Sequence, residues 1–147
     1  MRSGGILAHP CQIPMSTDPA PPVAKNLLIL LWAATPEHPD RCAMPFVYAA
    51  TAAAMEVGVE VHFTGPSVRL LVEGVAAGIA VSAQSDTTLY DTMQTAALHG
   101  ARFVACSMAL REHTQAHESK IAEFSGVAGA ATVVMRSLDP EWRTLTF

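Results

Sequence analysis

The stretch Asn26-Leu-Leu-Ile-Leu-Leu-Trp-Ala33 is continuously apolar after its first residue and shows no alternation with polar positions. A strand covered on one face only alternates apolar with polar. An unbroken run of strand length therefore predicts a strand buried on both faces, as in a parallel sheet sandwiched between helices. Val59-Glu-Val-His-Phe-Thr64, β-branched and aromatic, and Ala101-Arg-Phe-Val-Ala-Cys106 read as two more strands. The first run is far shorter than the roughly 20 residues that span a bilayer, and Glu56 interrupts the later alanine-rich stretch, so no membrane partner is expected.

Helical signals alternate with these strands. After a loop from Thr35 to Pro45, broken by three prolines, Phe46 to Val57 reads as a helix ended by Gly58. Gly65-Pro66-Ser67 gives a turn, with Ser67 as N-cap of a short helix from Val68 to about Ala76. Gly78 to Ser82 fits a short strand or a loop equally well. Thr88 and Asp91 form a capping-box pattern for a helix running to Gly100, and another helix begins at Ser107. Gly126 and Gly129 punctuate the next stretch, Ala130 to Leu138 reads as helix, and Trp142 to Phe147 as a closing strand. Strands alternating with helices imply right-handed crossovers, hence an α/β fold: a three-layer α/β/α sandwich on a mostly parallel sheet of about five strands.

With 147 residues, half of them apolar, the chain can bury one core, and residues 25–147 are read as a single domain. Residues 1–24 are proline-rich without apolar periodicity and are expected to form a flexible tail. That opening lacks the long apolar centre of a secretory signal. Met15, followed by Ser-Thr-Asp-Pro, suits a translation start, which would make residues 1–14 dispensable. The formal charge is −4 with the basic residues scattered, so no nucleic acid partner is expected. Three cysteines without a CxxC pair suit free thiols in a reducing cytoplasm better than a disulfide framework.

In open α/β sheets the ligand crevice lies beyond the C-terminal strand ends. Three segments are placed there: the loop from Thr35 to Pro45, Gly65-Pro66-Ser67, and Cys106-Ser107. Cys106 ends a strand and precedes a helix, so its sulfur is expected near the helix's free N–H groups, where a thiolate is favoured. Its rival reading is a buried packing cysteine, and exposure decides between them.

The succession Gly100-Ala-Arg-Phe-Val-Ala-Cys106-Ser-Met, then Gly126-Val-Ala-Gly-Ala-Ala131, then Arg143-Thr-Leu-Thr-Phe147 resembles the DsrE/DsrF-like family from about Leu27 to the C-terminus. That resemblance implies a small three-layer α/β domain of YchN-like fold that assembles into dimers, trimers or hexamers. It also implies, as in several members, that the cysteine matching Cys106 carries a persulfide in sulfur relay. Cys106 would then be the nucleophile of a sulfurtransferase or sulfur carrier that needs no cofactor and meets a donor and an acceptor protein. The alternative is a non-catalytic oligomeric domain that binds a small molecule or protein, with Cys106 structural.

Other residues supply supporting or competing readings. Cys42, in the loop after the first strand, is either a resolving thiol or second sulfur acceptor, or a plain loop cysteine. His38, Asp40 and Cys42 share that loop, and His113 and His117 have i, i+4 spacing, but neither spells a metal motif and no metal is assigned. His38 or His113 is instead a candidate to lie beside Cys106 and tune it, with Gly65 and Ser107 near the same edge. Gly126 to Gly129 lacks the lysine and the preceding strand of a phosphate loop, and Ser107 lacks the glycines of a nucleophile elbow. No cysteine sits in the PxxxTxxC arrangement of a peroxidatic site. Phe46, Trp142 and Phe147 are candidates for a subunit interface.

Overall fold

The structure, a computed structural model, describes residues 23–84 and 86–147. The expected tail of residues 1–24 therefore lies almost entirely outside the described residues.

The apolar run forms β1 (Asn26–Leu31), followed by α1 (Ala43–Ala54), β2 (Gly58–Phe63), α2 (Leu89–Leu98), β3 (Arg102–Cys106), α3 (Ser107–His113), β4 (Phe124–Ala128), α4 (Ala130–Leu138) and β5 (Trp142–Thr146). The five strands form one sheet in the order β4-β3-β2-β1-β5, every pair parallel. Steps from β1 to β4 all run in one direction across the sheet, whereas the step from β4 to β5 returns past β1. Right-handed crossovers therefore carry α1, α2 and α3 to one face and α4 to the other, which produces three layers.

On the first face, Ile29, Leu31, Val61, Phe63, Phe103 and Ala105 join Phe46, Ala49 and Ala53 of α1 and Leu89, Met93 and Ala96 of α2 in a single core. At its centre, the rings of Phe46, Phe63 and Phe103 lie 5.7–6.0 Å apart, with Phe103 edge-on to the other two. The second face is covered by α4, which has no fully buried residue. Beneath it the register aligns Leu28 with Glu60 and His62 with Val104, all four buried. No helix among the described residues is long and apolar enough to cross a membrane.

Three local expectations are corrected. The fourth strand is Phe124–Ala128, whereas Gly78 to Ser82 contributes only an isolated antiparallel bridge from Ala80 to Thr88. Gly126, at φ 134, therefore sits inside a strand beside a register shift at Phe103/Val104, a role for glycine that mimics a loop in sequence. The segment after β2 is a 3-10 helix over Gly65–Leu71 capped by Thr64; Ser67, three positions on, returns the cap by accepting the Thr64 N–H at 3.0 Å. Finally, α1 ends at Ala54, and Glu56, not Gly58, takes the left-handed conformation at φ 63. The Glu56 and Val57 N–H groups then close a Schellman motif on the Ala53 and Ala52 carbonyls. The Thr88–Asp91 capping box forms as expected, with its Asp91 carboxyl held low by the Thr88 N–H.

Candidate functional site

The chain leaves β3 toward the first face through α3 and leaves its neighbour β4 toward the second face through α4. The two connections therefore part at the C-terminal ends of β3 and β4. Cys106, the last residue of β3, pairs there with Ala128 of β4, just before Gly129 caps α4. Cys106 is itself the N-cap of α3 and is partly exposed, with one side against the rim of the aromatic core. Ser107 follows as the first residue of α3 and is half-buried.

Cys42 is differently placed. It is 0% exposed, and its thiol donates toward the carbonyl oxygens of Thr35 at 3.3 Å and His38 at 3.5 Å. Burial, reinforced by the charges of Asp40 and Glu37, pushes its pKa up to about 11. His38 and Asp40 point outward while the Cys42 sulfur turns inward, so the three ligand types of this loop do not converge. Among the described residues, no group of three or more His, Cys, Asp and Glu side chains is arranged to hold a metal ion.

His38 and His113, far apart in sequence, line one cleft of about 610 Å³ at the ends of β1 and β2, together with Trp32, Arg41, Pro66 and Arg69. Gly65, at φ 50, makes the turn into Pro66 on its rim. Cys106 and Ser107 are not among the residues lining this cleft. The candidate residues at the strand ends thus divide between two places, the cleft and the end of β3.

Sequence reasoning missed Arg69 and Glu118. The Arg69 guanidinium reaches both carboxylate oxygens of Glu118 at 2.7 Å and the His113 carbonyl at 3.4 Å, tying the end of α3 to the segment after β2. That pairing holds the Glu118 carboxyl below the usual range. The two residues are 49 positions apart and the intervening sequence carries no periodic signal linking them.

The model of the DsrE/DsrF-like family matches residues 27–147. The chain belongs to that family. No functionally curated protein matches it. Among solved structures, the DsrE/DsrF-like domain is similar to the crystal structure of the ychN protein from E. coli, with a TM-score of 0.64 and 9% identity over 85% of this chain and 100% of that one. At that identity the likeness is one of fold. It extends to the five-stranded parallel sheet with helices on both faces.

Proposed function

We propose that this DsrE/DsrF-like protein transfers sulfur through Cys106, which acts as a persulfide-carrying nucleophile. The supporting observation is the contrast between the two described cysteines. Cys42 is sealed among backbone carbonyls with its pKa raised to about 11, whereas Cys106 is partly exposed at the C-terminal end of β3. A thiol must be reachable to react, and only Cys106 meets that requirement among the described residues.

In the first step, the Cys106 thiolate attacks the outer sulfur of a donor persulfide, R–S–SH. One S–S bond forms as another breaks, giving Cys106–S–SH and releasing the donor as R–S⁻. An acceptor thiolate then attacks the same outer sulfur and regenerates the Cys106 thiolate. The exchange is redox-neutral overall and calls for no cofactor. The reading includes a homo-oligomer, supported by exposed apolar side chains such as Trp32, Met135 and Leu138. Light scattering that gives a monomer mass would remove that component.

A second reading draws on the cleft lined by His38 and His113, which excludes Cys106: the chain is a binding domain and Cys106 is packing. Intact-mass measurement after incubation with a polysulfide donor separates the two. A gain of one sulfur in the wild type and none in Cys106→Ala supports transfer. A wild type that gains no sulfur, with Cys106 protected until denaturation, supports the binding domain.

A further inference from the structure

We propose that a cavity at the N-terminal ends of the strands, opposite the end that carries Cys106 and beneath α4, binds a small amino acid as its zwitterion. The cavity has a volume of about 210 Å³ and is bounded by Glu60, Arg102, Arg136 and Trp142 around the strand starts at Gly58 and Gly100.

Its buried polar groups are held near one another and only partly satisfied. Glu60 is 5% exposed, and its Oε1 has no hydrogen-bond partner. The β2–β3 register sets Arg102 directly opposite Glu60, yet Arg102 makes no ion pair with it. From α4, Arg136 approaches Glu60 Oε2 only to 3.8 Å, outside hydrogen-bond range, and its Nε is buried without a partner. The Arg136 guanidinium lies 4.2 Å from the centre of the Trp142 ring, which fixes its position. A carboxylate removed from water is costly unless it is paired and hydrogen-bonded, so this arrangement calls for a donor at Glu60 Oε1 and an acceptor at Arg136 Nε, with the exposed Arg102 at the mouth able to turn to the same ligand.

A simple anion would answer the arginines but repel Glu60. A simple amine would answer Glu60 but face two positive charges. A molecule with an ammonium and a carboxylate on the same carbon answers both, with the ammonium on Glu60 Oε1 and the carboxylate between Arg102 and Arg136. The volume equals about seven waters at about 30 Å³ each, which suits an occupant of roughly that many heavy atoms. Gly100 leaves the neighbouring space open, with nothing within 4 Å of where its Cβ would stand.

The test is calorimetric titration of the full chain with L-alanine, propionate and ethylamine, repeated with Glu60→Gln and Arg102→Gln. L-alanine should bind about tenfold or more tightly than either single-charge analogue, and each variant should lose about that factor. Propionate binding as well as L-alanine, or no L-alanine binding at about 10 mM, overturns the proposal. So does an unchanged affinity in folded Glu60→Gln. The comparison of the three ligands on the wild-type chain does not depend on either variant folding. Because Cys106 lies at the other strand ends, Cys106→Ala should bind L-alanine as the wild type does, and failure here leaves the sulfur-transfer reading untouched.

Discussion

The side-chain oxygen of Asn26 occupies the space in which a side chain at Gly58, its partner across β1 and β2, would begin. A Cβ at Gly58 would therefore displace the Asn26 side chain, with no backbone atom in the way and no left-handed conformation to hold. Gly58→Ala should destabilise the protein by at most about 1 kcal/mol, the cost of turning the Asn26 side chain aside. Asn26→Ala in the same chain should recover much of that loss. Urea denaturation of the two single variants and the double variant measures this coupling directly.

Glu56 offers the opposite case. It holds φ 63 at the end of α1, a conformation that disfavours residues with a Cβ, and no ion pair fixes its side chain. Glu56→Gly should raise stability by about 0.5–1 kcal/mol, seen as a Tm increase of about 2 °C for a domain of this size.

The two described cysteines should differ sharply toward a small alkylating agent. In the native protein at neutral pH, Cys106 should be modified first, while Cys42, buried and bonded to Thr35 and His38, should react only on unfolding. Peptide mapping after timed alkylation checks the order. Equal rates would remove the contrast on which the Cys106 reading rests.

His62 makes the fold sensitive to acid. It is 1% exposed near the C-terminal end of β2, and burial holds its pKa below the usual value, with Glu60 pulling partly the other way. The unfolded chain therefore takes up the proton first, below about pH 6.5, and stability falls from there toward the lower folded value. His62→Gln should flatten this part of the pH profile, read as the urea midpoint between about pH 7.5 and about pH 5.5.

How much of this was legible in sequence depended on the length of the signal. β1 announced itself because burial on both faces demands unbroken apolarity, and the Thr88–Asp91 cap because both partners are local. β4 was hidden because Gly126 serves a bend inside the strand, and glycine in sequence reads as a break. The Cys106 position followed from strand-then-helix order. The sharing of one cleft by His38 and His113, and the pairing of Arg69 with Glu118, followed only from the packing of α3 on the segment after β2. The Glu60, Arg102 and Arg136 arrangement was similarly invisible, because it joins two neighbouring strands to a helix that arrives from the far edge of the sheet.

The unequal cover of the sheet divides the molecule into parts of different durability. α4 keeps no side chain fully from water, and β5 is exposed along nearly its whole length. The segment from Ala130 to Thr146 therefore has the least apolar area to lose on local opening, while the Phe46–Phe63–Phe103 cluster lies on the other side of the sheet and stays closed. Amide exchange should be fast in this flap and slow in β2 and β3, so that Glu60 and His62 meet solvent in fluctuations that leave the rest of the domain folded.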